Sequence, residues 1–207
     1  MNVWGIVLAA GNGDRFGAPK QYQSLGGQRV VDWSLAAARQ TCDGLVLVVQ
    51  PARVGDPEAA ADVVVPGGPT RSSSVRAGLA AVPEHANVIV VHDASRPLAS
   101  IELWRAVIAA VAGGHDSAVP AIPVTDTLRE VGGATVDRSR FLAVQTPQAF
   151  RSELLRRAHQ GEGEATDDAG LVETIGGKVV VVDGEHDNVK ITTPADLRLV
   201  AGLAPGA

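Results

Sequence analysis

Only one cysteine, Cys42, occurs in the 207-residue chain. No internal disulfide can form, and a lone free thiol fits a reducing compartment. Lysine is nearly as scarce, with Lys20, Lys178 and Lys190 the only three, so a lysine inside a polar or glycine-rich motif carries more information than usual. No apolar run approaches the ~20 residues that span a bilayer, and Met1-Asn2-Val3-Trp4-Gly5 lacks the basic flank and apolar stretch of a secretory leader. The expected location is the cytoplasm, with no membrane partner. A long basic block is missing as well: 18 basic residues face 23 acidic ones, for a net charge of -5. That balance argues against a nucleic-acid partner, although a local positive cluster can still receive small anions.

What the chain does have is a series of Val- and Ala-rich runs, enough for one principal domain over residues 1–207. Val3 to Ala10 stops abruptly at Gly11-Asn12-Gly13-Asp14-Arg15, as a buried parallel strand does on meeting a ligand loop. Further strands are expected at Leu45–Val49, Asp62–Val65, Asn87–Val91, Ser117–Ile122 and Lys178–Val182. Helices are expected over Val30–Arg39, Arg71–Val82, Ile101–Ala112 and Ser152–His159, with another starting at Thr193-Pro194. The alternation implies an α/β, Rossmann-like, mostly parallel sheet whose polar strand ends gather along one ligand-binding edge. Between Pro123 and Pro147 the rhythm changes. Thr125–Val131, Gly132-Gly133 and Ala134–Asp137 read as a glycine-turned β-hairpin, a small arm on the main sheet.

Four polar segments fall at the expected strand ends. In Leu8-Ala9-Ala10-Gly11-Asn12-Gly13-Asp14-Arg15 through Pro19-Lys20, the glycines expose amides while Arg15 and Lys20 add positive charge, a combination suited to a triphosphate. The spacing matches neither a P-loop nor a dinucleotide fingerprint. In Gly67-Gly68-Pro69-Thr70-Arg71-Ser72-Ser73-Ser74, Arg71 and Ser74 share a helix face and can read a base edge, a ribose or a phosphate. A plain capped helix explains the same residues. In His92-Asp93-Ala94-Ser95-Arg96-Pro97, Asp93 is a candidate Mg²⁺ ligand and Arg96 a candidate partner for it or for phosphate, whereas His92 reads as structural. The late segment Gly184 to Pro194 contributes Lys190 as a ligand contact and Asp187 as a second candidate metal ligand.

Taken in order, these segments resemble the 2-C-methyl-D-erythritol 4-phosphate cytidylyltransferases. So do Pro123-Val124-Thr125-Asp126-Thr127, Gln145-Thr146-Pro147-Gln148, Thr166-Asp167-Asp168 and Asn188-Val189-Lys190-Ile191-Thr192. The resemblance implies that Arg15 and Lys20 act at the triphosphate, with Lys190 beside them. It places CTP against Ala9, Ala10, Gly11, Gly13, Gly68, Arg71 and Ser74, with Asp93 near ribose and metal. Arg96, Thr127, Arg138, Thr166 and Lys190 would hold a polyol phosphate acceptor. The resemblance further implies a homodimer in which Thr127 and Arg138 come from the neighbouring subunit's arm. Two positions depart from the family pattern: the stretch from Arg15 to Lys20 is short, and Ser95 replaces a common alanine. Ribitol 5-phosphate or another polyol phosphate is the same-chemistry alternative acceptor. A noncatalytic nucleotide-binding module and a nicotinamide oxidoreductase are the readings from other classes.

Overall fold

The computed structural model describes residues 1–58, 60–161, 163–165 and 167–204. Its sheet is built from β1 (Val3–Ala9), β4 (Gly44–Val49), β5 (Val63–Pro66), β6 (Val88–Asp93), β7 (Ser117–Pro123), β9 (Gln148–Arg151) and β10 (Val179–Asp183), in the order β10-β7-β9-β6-β1-β4-β5. All run parallel except β9, and β8 (Leu142–Val144) pairs antiparallel with the end of β7. A short ribbon of β2 (Ser24–Leu25) and β3 (Gln28–Arg29) precedes α1 (Val30–Arg39).

Adjacent strand residues point to opposite faces, and both faces are covered. Val7, Leu47 and Val90 pack with Leu35 of α1 and with Trp104 and Val107 of α3 (Ile101–Ala112). Ile6, Val46 and Ile89 pack on the other side with Val75 and Leu79 of α2 (Arg71–Ala81) and with Leu155 of α4 (Ser152–Ala158). Val172 of α5 (Asp168–Thr174) joins that second layer. Burial on both faces explains why β1, β4 and β6 appear in the sequence as unbroken apolar runs. The last helix, α6 (Pro194–Leu203), starts with Thr193 accepting from the Asp196 amide and Pro194 in the first turn, as its sequence predicts.

The structure departs from expectation around β8 and β9. The four-residue β9 is buried between β6 and β7, although Gln148-Ala149-Phe150-Arg151 carries neither an apolar run nor clear alternation. β8 and β9 lie in line along the same flank of β7, interrupted at Gln145 to Pro147, where the Thr146-Pro147 peptide is cis. The expected hairpin is reduced to one bridge, Arg129 with Thr135, and two further amide bonds, Glu130 to the Ala134 carbonyl and Val136 to the Leu128 carbonyl. Gly132 turns it at φ 74°. Most residues from 124 to 144 are exposed, so this segment stands out from the body as the sequence suggests.

Candidate active site

The parallel strands β1, β5 and β6 end at the same edge of the sheet, with β4 between β1 and β5, and their following segments enclose a cleft of about 630 Å³. Ala9, Ala10, Gly11, Arg15 and Lys20 line it from the first loop, and Gly68, Arg71 and Ser74 from the turn into α2. Asp93 reaches it from the end of β6 and Lys190 from the segment after β10. Ten of the predicted residues, from four distant stretches of chain, therefore share one cleft.

The first loop is shaped from within. Gly13 takes φ 75°, and its carbonyl accepts the amides of Phe16 and Gly17 at 2.8 Å. A Cβ there would lie 1.9 Å from the Ala18 carbonyl oxygen, so the loop excludes any other residue at this position. Gly13 thus sets the loop's path rather than lining the cleft. Gln21, which follows Lys20 in the first motif and had no role assigned from sequence, is buried and donates to the carbonyls of Ala9 at 2.7 Å and Gly11 at 2.9 Å. It ties the turn carrying Lys20 to the end of β1.

The second turn is equally tight. Ser74 Oγ accepts the Gly68 amide at 3.2 Å and donates to the Thr70 carbonyl at 2.9 Å, while Thr70 caps α2 through the Ser73 amide. A Cβ on Gly67 would come within 2.3 Å of the Ala10 Cβ. The two ligand loops therefore meet there in van der Waals contact. The capped-helix reading of this segment holds, and the cleft-lining reading holds with it.

At the cleft floor Asp93 is 8% exposed. Lys190 Nζ lies 2.6 Å from its Oδ2 and Arg71 Nε lies 3.5 Å from its Oδ1. Burial opposes ionisation of this carboxyl, but the charges of Lys190 and Arg71 outweigh it and hold the group well below the usual carboxylate range. Lys20 is half-buried, and its pKa is lowered first by that burial, then by the neighbouring charges of Lys190 and Arg15. Three cations crowd one end of the cleft without carboxylates enough to neutralise them, which is the electrostatic signature of an anion site.

His92 is fully buried, and its pKa is pushed down to about 4 by burial. Its ring lies 5.0 Å from that of Trp104, its Nδ1 meets Thr146 Oγ1 at 3.1 Å, and its Nε2 meets the Arg96 carbonyl at 3.2 Å. Thr146 Oγ1 also accepts the Asp93 amide at 3.1 Å. A neutral ring protonated on Nε2 satisfies every one of these contacts, with the Thr146 hydroxyl donating to Nδ1. The structural reading of His92 holds, and its partner Thr146, placed by the break between β8 and β9, stood in a resemblance motif of the sequence without an assigned role.

The remaining predicted residues stand apart from the cleft lining. Arg96 donates to the carbonyls of Asn188 at 2.8 Å and Val144 at 3.4 Å, bracing the segment that carries Lys190. Asn188, fully buried, adds bonds to Gln145 Oε1 at 3.1 Å and the Thr146 carbonyl at 2.9 Å. Gln145 in turn pairs its side-chain amide with the Glu185 backbone. Asp187 is exposed and outside the cleft lining, and Thr127 and Arg138 lie on the exposed arm, where Arg138 donates to the Thr125 carbonyl. Thr166 lies outside the described residues. Among those residues no three His, Cys, Asp or Glu side chains converge as a metal-holding group. No helix among them is long and apolar enough to cross a membrane.

Comparison with known proteins agrees with this geometry. The family profile of 2-C-methyl-D-erythritol 4-phosphate cytidylyltransferase (IspD) matches residues 3–203. A relative of that description from Streptomyces avermitilis is 40% identical over 96% of this chain and 90% of its own. The bifunctional IspD/IspF enzyme of Nitratidesulfovibrio vulgaris is 40% identical over 99% of this chain, which spans 59% of that longer protein. Among solved structures, the 2-C-methyl-D-erythritol 4-phosphate cytidylyltransferase of Thermus thermophilus superposes with a TM-score of 0.86, at 37% identity and with 98% of each chain covered.

Proposed function

The chain belongs to the 2-C-methyl-D-erythritol 4-phosphate cytidylyltransferase family, and on that premise we propose that it transfers CMP from CTP to 2-C-methyl-D-erythritol 4-phosphate. An oxygen of the acceptor phosphate attacks the α-phosphorus of CTP. The new P–O bond forms as the α–β bridge breaks, and pyrophosphate leaves with the bonding pair. The observation that carries this reading is the convergence of Arg15, Lys20 and Lys190 with Asp93 and Arg71 in one cleft.

The acceptor needs no general base, because a phosphate monoester with a second pKa of about 6 is already largely dianionic at neutral pH. That suits a site whose neighbouring histidine, His92, is buried and turned away onto Thr146 and Arg96. The difficulty is bringing one anion to another. Arg15 and Lys20 would offset the repulsion and stabilise charge developing on the pyrophosphate oxygens. Ala9, Ala10, Gly11, Gly68, Arg71 and Ser74 would hold the nucleotide. Arg96, Thr127, Arg138, Thr166 and Lys190 would hold the acceptor, with Thr127 and Arg138 supplied by the arm of a second copy in a homodimer.

Mg²⁺ fits this donor set through Asp93, a hard carboxylate whose Oδ1 has, among the described residues, only the 3.5 Å side-chain contact with Arg71 Nε. Asp14 and Asp93 are the carboxylates that line the cleft, so such an ion would draw most of its other oxygens from phosphates and water. It would supply positive charge at the transferring phosphoryl groups. Asp187 would join it only after a movement of the segment before Asn188.

The test is a product-resolved screen of CTP, UTP and ATP against methylerythritol phosphate, ribitol 5-phosphate and sugar 1-phosphates. CTP-dependent pyrophosphate release with methylerythritol phosphate is expected. Strong release with ribitol 5-phosphate and none with methylerythritol phosphate would move the assignment to that acceptor.

A further inference from the structure

A run of alternating charge leads from the cleft into the protein body. Beyond Lys190, Asp93 and Arg71, which line the cleft, Arg71 Nη2 lies 2.8 Å from Asp168 Oδ2, and Asp168 Oδ1 lies 2.9 Å from His159 Nε2. The Asp168 and His159 side chains are 0% and 2% exposed, and neither lines the cleft. Two ionisable side chains withdrawn from water at the junction of α4 and α5 are a poor choice for packing alone, since apolar residues of similar size generally serve as well or better. Their placement calls for a different account.

We propose that Asp168 is a positioning residue for Arg71, and that His159 in turn fixes Asp168. Arg71 is a long side chain with several rotatable bonds, standing at the first position of α2. Its other carboxylate contact, Asp93, is 3.5 Å away and is already held by Lys190 at 2.6 Å. Asp168 is therefore the anchor that selects one guanidinium pose. The Arg71–Asp168 contact is a close ion pair at 2.8 Å without hydrogen-bond alignment, and both Arg71 Nη1 and Nη2 are buried with no hydrogen-bond acceptor among the described residues. Unmet donors on a residue that lines the cleft are available to an acceptor oxygen of a nucleotide bound there. His159 donates from Nε2 to Asp168, and its Nδ1 has no partner among the described residues, so the contact with Asp168 is its one polar engagement. Asp167 caps α5 by accepting the Gly170 amide at 3.0 Å, which fixes Asp168 at the first position of that helix.

The kinetic arm of the test rests on the nucleotide reading of the cleft, and a spectroscopic arm does not. In ¹⁵N spectra the Arg71 Nε–H, assigned by its loss in Arg71→Met, should be dispersed and slow to exchange with water. It should collapse toward the free-arginine position in Asp168→Asn. In the kinetic arm Asp168→Asn should raise the CTP KM about tenfold while kcat stays within about threefold, and it should add nothing in an Arg71→Met background. His159→Leu should raise that KM severalfold, and His159→Gln, whose amide can donate from a similar position, should restore it. Should Asp168→Asn fold poorly, the neutral Arg71→Met/Asp168→Asn pair and the two His159 variants carry the comparison. An unchanged Arg71 resonance in both Asp168→Asn and His159→Leu overturns the proposal, as does an equal Asp168→Asn penalty with and without Arg71. Wild-type protein that turns over no CTP sinks the cytidylyl-transfer reading instead, and the resonance still decides the positioning role.

Discussion

Replacing Lys20 by alanine removes a cation that burial and two neighbouring cations already hold below its ordinary pKa. Its largest contribution is expected where charge moves onto the leaving pyrophosphate, so turnover should fall about a hundredfold, the equivalent of ~3 kcal/mol, with CTP KM changing far less. Steady-state kinetics of Lys20→Ala check this, and unaltered kcat would place Lys20 outside the reacting centre. His92 gives a prediction in pH. The unfolded chain takes up its proton near pH 6.5, the folded one only near about 4, so between those values the unfolded state binds more protons. Stability contributed by the neutral ring is complete above 6.5 and is lost as pH falls toward 4, by on the order of 3 kcal/mol. Urea unfolding across that window should show the slope in wild type and a flatter line in His92→Asn. The charged cleft residues were legible because Arg15, Lys20 and Lys190 are conspicuous beside glycines and strand ends in a lysine-poor chain. Gln21, Thr146, Asn188 and Asp168 stand in the motifs that carry the family resemblance, but their roles were not legible, because those roles come from burial, and a polar residue carries no local mark of being buried.

At the scale of elements, the turn from β5 into α2 is a tight junction beside the cleft. Gly67→Ala would drive a methyl group into Ala10 and to 2.9 Å from Ser74 Oγ. It should cost about 1–3 kcal/mol of stability and displace both ligand loops together. Equilibrium unfolding alongside CTP affinity measures this, and a fully stable variant with unchanged affinity would show that the two loops can separate freely. The helices and most parallel strands were readable because periodicity and burial agree in them: α1 is amphipathic and β4 is apolar throughout. α5 went unread because it starts directly after a polar stretch, and its cap, Asp167, has no apolar periodicity before it to mark a helix start. β9 was hidden because its identity as a strand comes from its neighbours on both sides and not from its own residues.

At the scale of the whole molecule, the exposed arm carries Val131, Phe141, Leu142 and Val144 to solvent in the isolated chain, a surface consistent with the proposed homodimer. Arg138→Ala should weaken use of the acceptor and leave CTP binding intact. A sharper demand is complementation. Mixed dimers of Arg138→Ala and Lys20→Ala subunits should recover up to about half of wild-type activity, because one composite site keeps both residues. Verified heterodimers without recovery would remove the basis for sharing the site. The course of β9 has a further consequence. β6 and β7 are not paired with each other, and β7 pairs with β9 at two positions, Ser117 with Phe150 and Ala118 with Ala149, beside one further bond from the Arg151 amide to the Asp116 carbonyl. The sheet therefore has a seam, and the piece beyond it, β7 with β10, should open as a unit below the global unfolding free energy. Native-state hydrogen exchange should find amides of β7 and β10 exchanging ahead of those in β1, β4 and β6. Asp93 and Lys190 lie on opposite sides of that seam yet hold each other at 2.6 Å, so a ligand gripping both acts as a staple across it, and saturating nucleotide should slow exchange most in strands it never touches.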